Sequence, residues 1–165
     1  MIFSLTSTSD MELVKSALAA GKRVGLTSGT YDLLHYLHHI FLEKCRRHCD
    51  ILIVGIDSDR LVKATKGEDR PLVPENQRVE MVNALASVDG VYVQDSTDAW
   101  LRAVVELGVH VIFKNDQFKP DEIIGREHAE VVIVPDVKIP DSTTAIVEEC
   151  IRRRDQKSDG DADGT

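Results

Sequence analysis

Two hydrophobic periods take turns along this chain. Ser9 or Asp10 caps a predicted helix that runs to about Ala20 and stops at Gly21. Arg23 to Thr27 reads as a short apolar-biased strand. Leu37 to His48 then has helical spacing, with Ile40, Phe41 and the Lys44–Cys45 pair on successive turns. Asp50 introduces Ile51 to Ile56, which is apolar on both faces, as a strand inside a parallel sheet must be. Helices are predicted over Glu75 to Leu85, Thr97 to Leu107 (closed by Gly108) and Thr143 to Arg153. Further strands fall at Gly90 to Val93, Val109 to Phe113 and Glu130 to Val134, with a short helix from Asp121 to His128. Lys63 to Pro74 holds two prolines, a glycine and several charges, and reads as one long loop of the kind that tends to carry function.

Strands alternating with helices predict an α/β fold: a doubly wound, mainly parallel sheet with helices on both faces. Residues 1–154 read as a single domain, with no internal repeat. Residues 155–165 are too rich in Asp and Gly to bury surface and are expected to be a disordered acidic tail. Such a sheet takes ligands beyond the carboxyl ends of its strands, near the switch point in strand order.

Composition narrows the class of function. The chain has 165 residues, 42% hydrophobic and 29% charged, with aromatics at only 5%, so Val, Ile, Leu and Ala must build the core. The net charge is −8; the tail carries four Asp and one Lys, which leaves about −5 on the body. An acidic body excludes non-specific binding to nucleic acid or to an anionic membrane, so any bound anion needs a local site. No apolar run is long enough to span a bilayer. The first ten residues lack a basic region and a long apolar run, so no secretory leader is expected. Cys45, Cys49 and Cys150 cannot all pair within one chain and read as reduced thiols of a cytosolic protein. Cys45, His48 and Cys49 could share a helical face as metal ligands, but three ligands without a fourth fit small buried thiols better.

The candidate chemistry follows the first strand. Thr27-Ser28-Gly29-Thr30-Tyr31-Asp32-Leu33-Leu34-His35-Tyr36-Leu37-His38 places a glycine turn after a buried strand and two histidines three residues apart at a helix start. Free amides and the helix dipole favour an anion there, and imidazoles add directed donors to phosphate oxygens. A lone H-x-x-H would more often be a cap and a surface histidine; here the strand, the glycine and the acid change the balance.

This stretch resembles the G-T-F-D-x-x-H-x-G-H signature of the cytidylyltransferase-like superfamily, with Gly29, Thr30, Tyr31 (for Phe), Asp32, His35 and His38 matching and Leu37 in place of glycine. Three further blocks follow in the same order. Lys66-Gly67 with Arg70-Pro71 and Gln77-Arg78 is similar to the family's mobile loop and next helix. Phe113-Lys114-Asn115-Asp116 with Lys119-Pro120-Asp121-Glu122-Ile123 and Gly125-Arg126-Glu127 is similar to V-K-G-x-D-(Y/W)-x-P-E-x-I-x-G-x-E. Ser142-Thr143-Thr144-Ala145-Ile146 is similar to S-T-T-x-I at the last helix. Together they resemble the adenylyltransferase domain of heptose-phosphate enzymes more than glycerol-3-phosphate cytidylyltransferase.

The resemblance implies a Rossmann-like nucleotidyltransferase, usually a homodimer, in which a phosphorylated acceptor attacks the α-phosphate of ATP or CTP and pyrophosphate leaves. No covalent enzyme intermediate is needed, so catalysis is positioning and charge stabilisation. It implies His35, His38 and Lys66 as the catalytic group. Ser28, Gly29, Thr30, Tyr31, Leu37, Ser142, Thr143 and Thr144 would lie around the nucleotide, Asp32 and Lys114 towards the acceptor. Mg²⁺ would bridge the phosphates with few protein ligands.

Plainer roles stand beside each of these. Asp32 could brace the turn, Thr143 or Thr144 could serve only as an N-cap, Lys66 alone would be a solvated lysine, and Lys114 could merely end its strand. Arg78 is equally suited to a structural or dimer-forming ion pair, His39 to an exposed helix face, and Trp100 and Leu101 to the core. Leu37 adds four carbons where family members let the nucleoside meet bare backbone. It leaves three readings: a displaced nucleotide, a domain that binds without catalysis, or a leucine turned into the core beside Phe41.

Overall fold

The computed structural model describes residues 8–137 and 143–160. In chain order the elements are α1 (Thr8–Ala19), β1 (Val24–Gly29), α2 (Tyr36–Arg46), β2 (Ile51–Asp57), α3 (Asp59–Lys66), α4 (Glu75–Asn83), β3 (Gly90–Gln94), α5 (Thr97–Glu106), β4 (Val111–Asn115), a 3₁₀ turn (Pro120–Glu122), β5 (Glu130–Val134) and α6 (Thr143–Gly160).

The five strands form one parallel sheet in the order β3-β2-β1-β4-β5. Period-two alternation sorts their side chains into two cores. Leu52, Val54 and Ile56 of β2 join Val111 and Phe113 of β4 under α2 and α4, with Leu42, Val79 and Val82. Ile112 of β4, Val24 and Leu26 of β1 and Ile53 of β2 face the opposite core, built with Val14 of α1 and with Trp100, Ala103 and Val104 of α5. This two-sided burial is why the strands read as apolar runs rather than as clean alternation.

The chain leaves β1 for β2 on one side and reaches β4 on the other, so β1 and β4 flank the switch point. β1 pairs with β2 along its whole length, from Val24↔Ile51 to Gly29↔Ile56, but with β4 only at Gly25↔Val111 and Leu26↔Ile112. Beyond Leu26 the two strands part and open a crevice at their carboxyl ends, where ligands of such sheets bind.

Three elements differ from expectation. Lys63 to Lys66 is the last part of a helix, not loop: the Ser58 hydroxyl accepts from the Leu61 amide as N-cap, Asp59 occupies the first turn, and Val62 is buried. Gly67, at φ +100°, ends it, so the loop shrinks to 67–74. The helix expected over Asp121 to His128 is a single 3₁₀ turn, cut short before Gly125 at φ +92°. And α6 runs on to Gly160, past the Arg153 where the sequence ended it and through half of the expected disordered tail. Neither proline nor glycine interrupts residues 143–159, and Glu149 pairs with Arg152 and Arg153 on the helix surface.

Candidate functional site

The turn after β1 is built around its own side chains. Tyr31 and Leu33 adopt left-handed backbone, at φ 52° and 50°, and the Tyr31 ring folds back over the strand end into the core. A Cβ on Gly29 would stand 3.1 Å from that ring, so glycine here makes room for Tyr31. Thr30 donates to Asp57 Oδ2 at 3.1 Å, and its carbonyl accepts from Arg78. Asp57 in turn accepts from the Gln94 amide at 2.8 Å, and Tyr92 donates its hydroxyl to Gln94 at 3.2 Å. A polar chain thus ties the carboxyl ends of β1, β2 and β3 together.

Asp32 is buried, and its carboxylate serves the loop: Arg70 Nη1 donates at 2.8 Å and the amides of Leu72 and Val73 at 3.0 Å. Burial pushes its carboxyl up, but the two amides and Arg70 outweigh that and hold it below the ordinary carboxylate range. The bracing role that the sequence offered for Asp32 is therefore present. An ionised carboxylate only accepts hydrogen bonds, and here three protein donors use it. Arg78 completes the brace. Its fully buried guanidinium donates to Val73 O from the loop, to Thr30 O from the turn and to Asp59 at the start of α3.

His35 is the N-cap of α2 and His38 its third residue, and the two form a capping-box arrangement in which His38 Nδ1 faces the His35 amide at 3.4 Å. Their rings lie 3.9 Å apart, with Tyr31 5.1 Å from His38 on the other side. Burial, and then the neighbouring His35 and Lys66, push His38 down to about 4, so it is neutral at physiological pH. With Nδ1 accepting from backbone, the proton sits on Nε2, which becomes a hydrogen-bond donor without a charge. Lys66, exposed at the end of α3, is close enough to bear on this titration.

Thr143 opens α6 beside this turn, and its hydroxyl donates to Asp32 O at 2.6 Å. A hydroxyl has one proton, and here Thr143 gives it to the turn. What α6 offers an anion is its first-turn amides. Ser142 and the Thr144 side chain lie outside the described residues. On the crevice side Lys114 Nζ donates to Ser28 Oγ at 2.9 Å, across the gap between β1 and β4. Leu37, the second residue of α2, is half-buried and belongs to neither core cluster, which removes the core-facing reading. Cys45 and Cys49 are free thiols whose ionisation burial opposes, Cys49 being pushed up to about 11, as buried hydrophobes would be.

The structure therefore brings His35, His38, Ser28, Lys114 and the start of α6 to one end of the sheet, with Lys66 nearby. It assigns Thr30, Tyr31 and Asp32 to building the turn. Arg70, Asp57 and Gln94 were not singled out from sequence as partners of the turn. The trace of Asp57 and Gln94 was an acidic and an amide position at strand ends, and Arg70 entered only as part of the loop block.

Similarity to known proteins agrees with this geometry. A sequence profile of the family described as "Cytidylyltransferase-like" matches residues 26–153. "Bifunctional protein HldE" of Hyphomonas neptunium is 41% identical over 134 residues, covering 78% of this chain and 27% of that protein. The protein of the same name from Pelobacter propionicus is 35% identical over 148 residues, covering 86% and 30%. The chain thus spans less than a third of the curated relatives it matches. A lipopolysaccharide core biosynthesis protein from Thermoplasma volcanium superposes with a TM-score of 0.60 at 24% identity, over 72% of this chain and 99% of that one. Pantoate-beta-alanine ligase from Francisella tularensis superposes with 0.59 at 10% identity, over 85% and 68%, and both describe fold alone. The chain belongs to the cytidylyltransferase-like family of nucleotidyltransferases.

Proposed function

We propose that this domain transfers AMP, or alternatively CMP, from a nucleoside triphosphate to the phosphate of a sugar phosphate. One oxygen of the acceptor phosphate attacks the α-phosphorus, the bond to the bridging oxygen breaks, and pyrophosphate leaves with that electron pair. The product holds the sugar in a new phosphoanhydride. The observation that carries the reading is His38, neutral and with Nδ1 facing the His35 amide, its ring 3.9 Å from that of His35 at the start of α2 after the β1 turn. A neutral donor set in place before reaction stabilises charge on the phosphates without reorganising. Lys66 supplies the mobile positive charge, the α6 N-terminus receives the outer phosphates, and Lys114 with Ser28 faces the acceptor.

Mg²⁺ belongs to the proposal as a companion of the nucleotide. Asp32 and Asp57 already serve protein donors, and the described residues contain no grouping of three His, Cys, Asp or Glu side chains suited to a metal. Phosphate oxygens and water would therefore be its ligands, and it would offset charge on the departing pyrophosphate. A homodimer in the cytosol completes the proposal. Its three cysteines are free, and none of the described helices is long and apolar enough to cross a membrane.

The test is pyrophosphate release across the four nucleoside triphosphates and a panel of sugar and polyol phosphates, with sedimentation equilibrium for the dimer. Release with ATP and a sugar phosphate supports the reading; release with CTP and a polyol phosphate selects the runner-up. Binding of nucleotide without release from any pair makes the domain a nucleotide-binding protein, with Leu37 as the reason.

A further inference from the structure

The register of β2 on β3 sets Asp57 beside Gln94, and from that pair hydrogen bonds run in two directions. Towards the β1 turn, the Gln94 amide donates to Asp57 Oδ1 at 2.8 Å, and Asp57 Oδ2 accepts from the Thr30 hydroxyl at 3.1 Å. Towards α3, the Gln94 main-chain carbonyl accepts from the Ser58 amide at 2.8 Å, and Ser58 is the N-cap of that helix. Thr30 precedes Tyr31, whose ring lies 5.1 Å from that of His38, while α3 ends at Lys66. One residue pair thus reaches both sides of the site.

The junction has little freedom. Thr30, Tyr92 and Gln94 are buried. The Tyr92 hydroxyl donates to Gln94 Oε1 at 3.2 Å, which turns the amide nitrogen towards the carboxylate. A flipped amide would set its oxygen against those of Asp57. Gly55 makes the room: a Cβ there would stand 2.7 Å from Gln94 Oε1 and 2.9 Å from the Tyr92 hydroxyl. Bonds between such groups add little net stability, because the unfolded chain makes them with water. What they add is direction, since each donor fixes the arrangement of the next. Arg78 spans the same gap, donating to Thr30 O in the turn and to Asp59 in the first turn of α3.

Resting on the nucleotidyl-transfer reading above, we propose that Asp57 and Gln94 are positioning residues that fix His38 and Lys66 relative to each other across the triphosphate. Both act through the elements they join. They hold the β1 turn and the start of α3 at one separation, so that a donor on the first and a cation on the second meet the same phosphates.

The two side chains can exchange roles, which supplies the test. Gln94→Glu sets two carboxylates face to face, and they must part or share a proton. Combining it with Asp57→Asn restores every bond at unchanged net charge. The new amide at 57 donates to the new carboxylate at 94, which still accepts from Tyr92, and the amide oxygen still accepts from Thr30. Calorimetric titration with non-hydrolysable ATP and CTP analogues is run beside pyrophosphate release and a melting curve. Gln94→Glu should weaken analogue binding about tenfold and lower turnover on the order of 10²-fold, the cost of misplacing reacting groups by about 1 Å. The double variant should recover most of both. Tyr92→Phe, which only frees the Gln94 amide to turn over, should act in the same direction and by less. Loss of melting temperature alone in Gln94→Glu, a folded double variant no better than Gln94→Glu, or unchanged turnover in Tyr92→Phe would overturn the junction. Analogue binding lost in Gln94→Glu and regained in the double variant, with no pyrophosphate released by the unmodified protein, would support the junction and overturn the transfer reading. Failure of the unmodified protein to bind either analogue would overturn both.

Discussion

The hydroxyl of Thr143 donates to the main-chain carbonyl of Asp32 at 2.6 Å, joining residues 111 positions apart. The same Asp32 holds the loop through its carboxylate, so one residue connects the β1 turn, the loop after α3 and the first residue of α6. Each of these segments belongs to a different sequence block of the family signature.

Thr143→Val removes the donor while keeping the shape. Loss of about 1 kcal/mol is expected from one neutral hydrogen bond, with Thr143→Ser close to the parent in urea denaturation. Nucleotide affinity should fall with the stability, because the α6 N-terminus is no longer fixed to the turn. Unchanged stability with reduced turnover would return Thr143 to the phosphates.

Asp32→Ala leaves Arg70 and the amides of Leu72 and Val73 without their acceptor. A destabilisation of about 1–3 kcal/mol is expected for unsatisfied, partly buried donors, with faster proteolysis between Gly67 and Val73. The folded carboxyl titrates below its ordinary 3.8, so its contribution is fully present above that value and is lost as pH falls through the folded pKa. The acid limb of the stability curve should therefore flatten in the variant.

His38→Ala should lower turnover on the order of 10²–10³-fold, the usual loss for one preorganised donor. His38→Gln, which keeps an N–H, should recover part of it. The stability profile gives an independent check. In the folded state His38 titrates at about 4 against an ordinary 6.5, so the unfolded chain takes up a proton that the native one refuses. Stability should fall as pH drops from 6.5 to 4 and level off above 6.5. The His38→Gln profile should lose that slope.

Leu37→Gly tests the departure from the family signature. Because Leu37 lies outside both cores, the cost should be that of glycine in a helix, roughly 1 kcal/mol, not that of an emptied core. Calorimetric titration with ATP and CTP should show tighter binding. Equal affinity in the two proteins would mean that the leucine does not approach the nucleoside.

Much of this was legible in advance because the cues are local. The apolar run Ile51 to Ile56, the strand Glu130 to Val134 and the two histidines at a helix start were each read from neighbouring residues and sit where expected. α3 was missed because Pro71 and Pro74 extended the loop backward over Lys63 to Lys66, although Ser58 and Asp59 form a usable helix-start signal. The protein partners of Thr30, Asp32 and Thr143 were not legible for another reason. Their residue types suit phosphate, but which partner takes a hydroxyl or carboxylate depends on groups 27 to 111 positions away, and no periodicity reports that.

The buried guanidinium of Arg78 also sets how far the segment near Lys66 can travel. One side of that segment is fixed by the end of α3, and the other by Arg70 on Asp32 and Val73 on Arg78. Only Gly67, Glu68 and Asp69 lie between these anchors, a tether whose fully extended length is about 10 Å. Swinging further would strip a buried cation of a carbonyl partner. The main chain carrying Lys66 is thus held on a short leash, which leaves side-chain rotation and a small rocking of the last helical turn as the ways its ammonium can move.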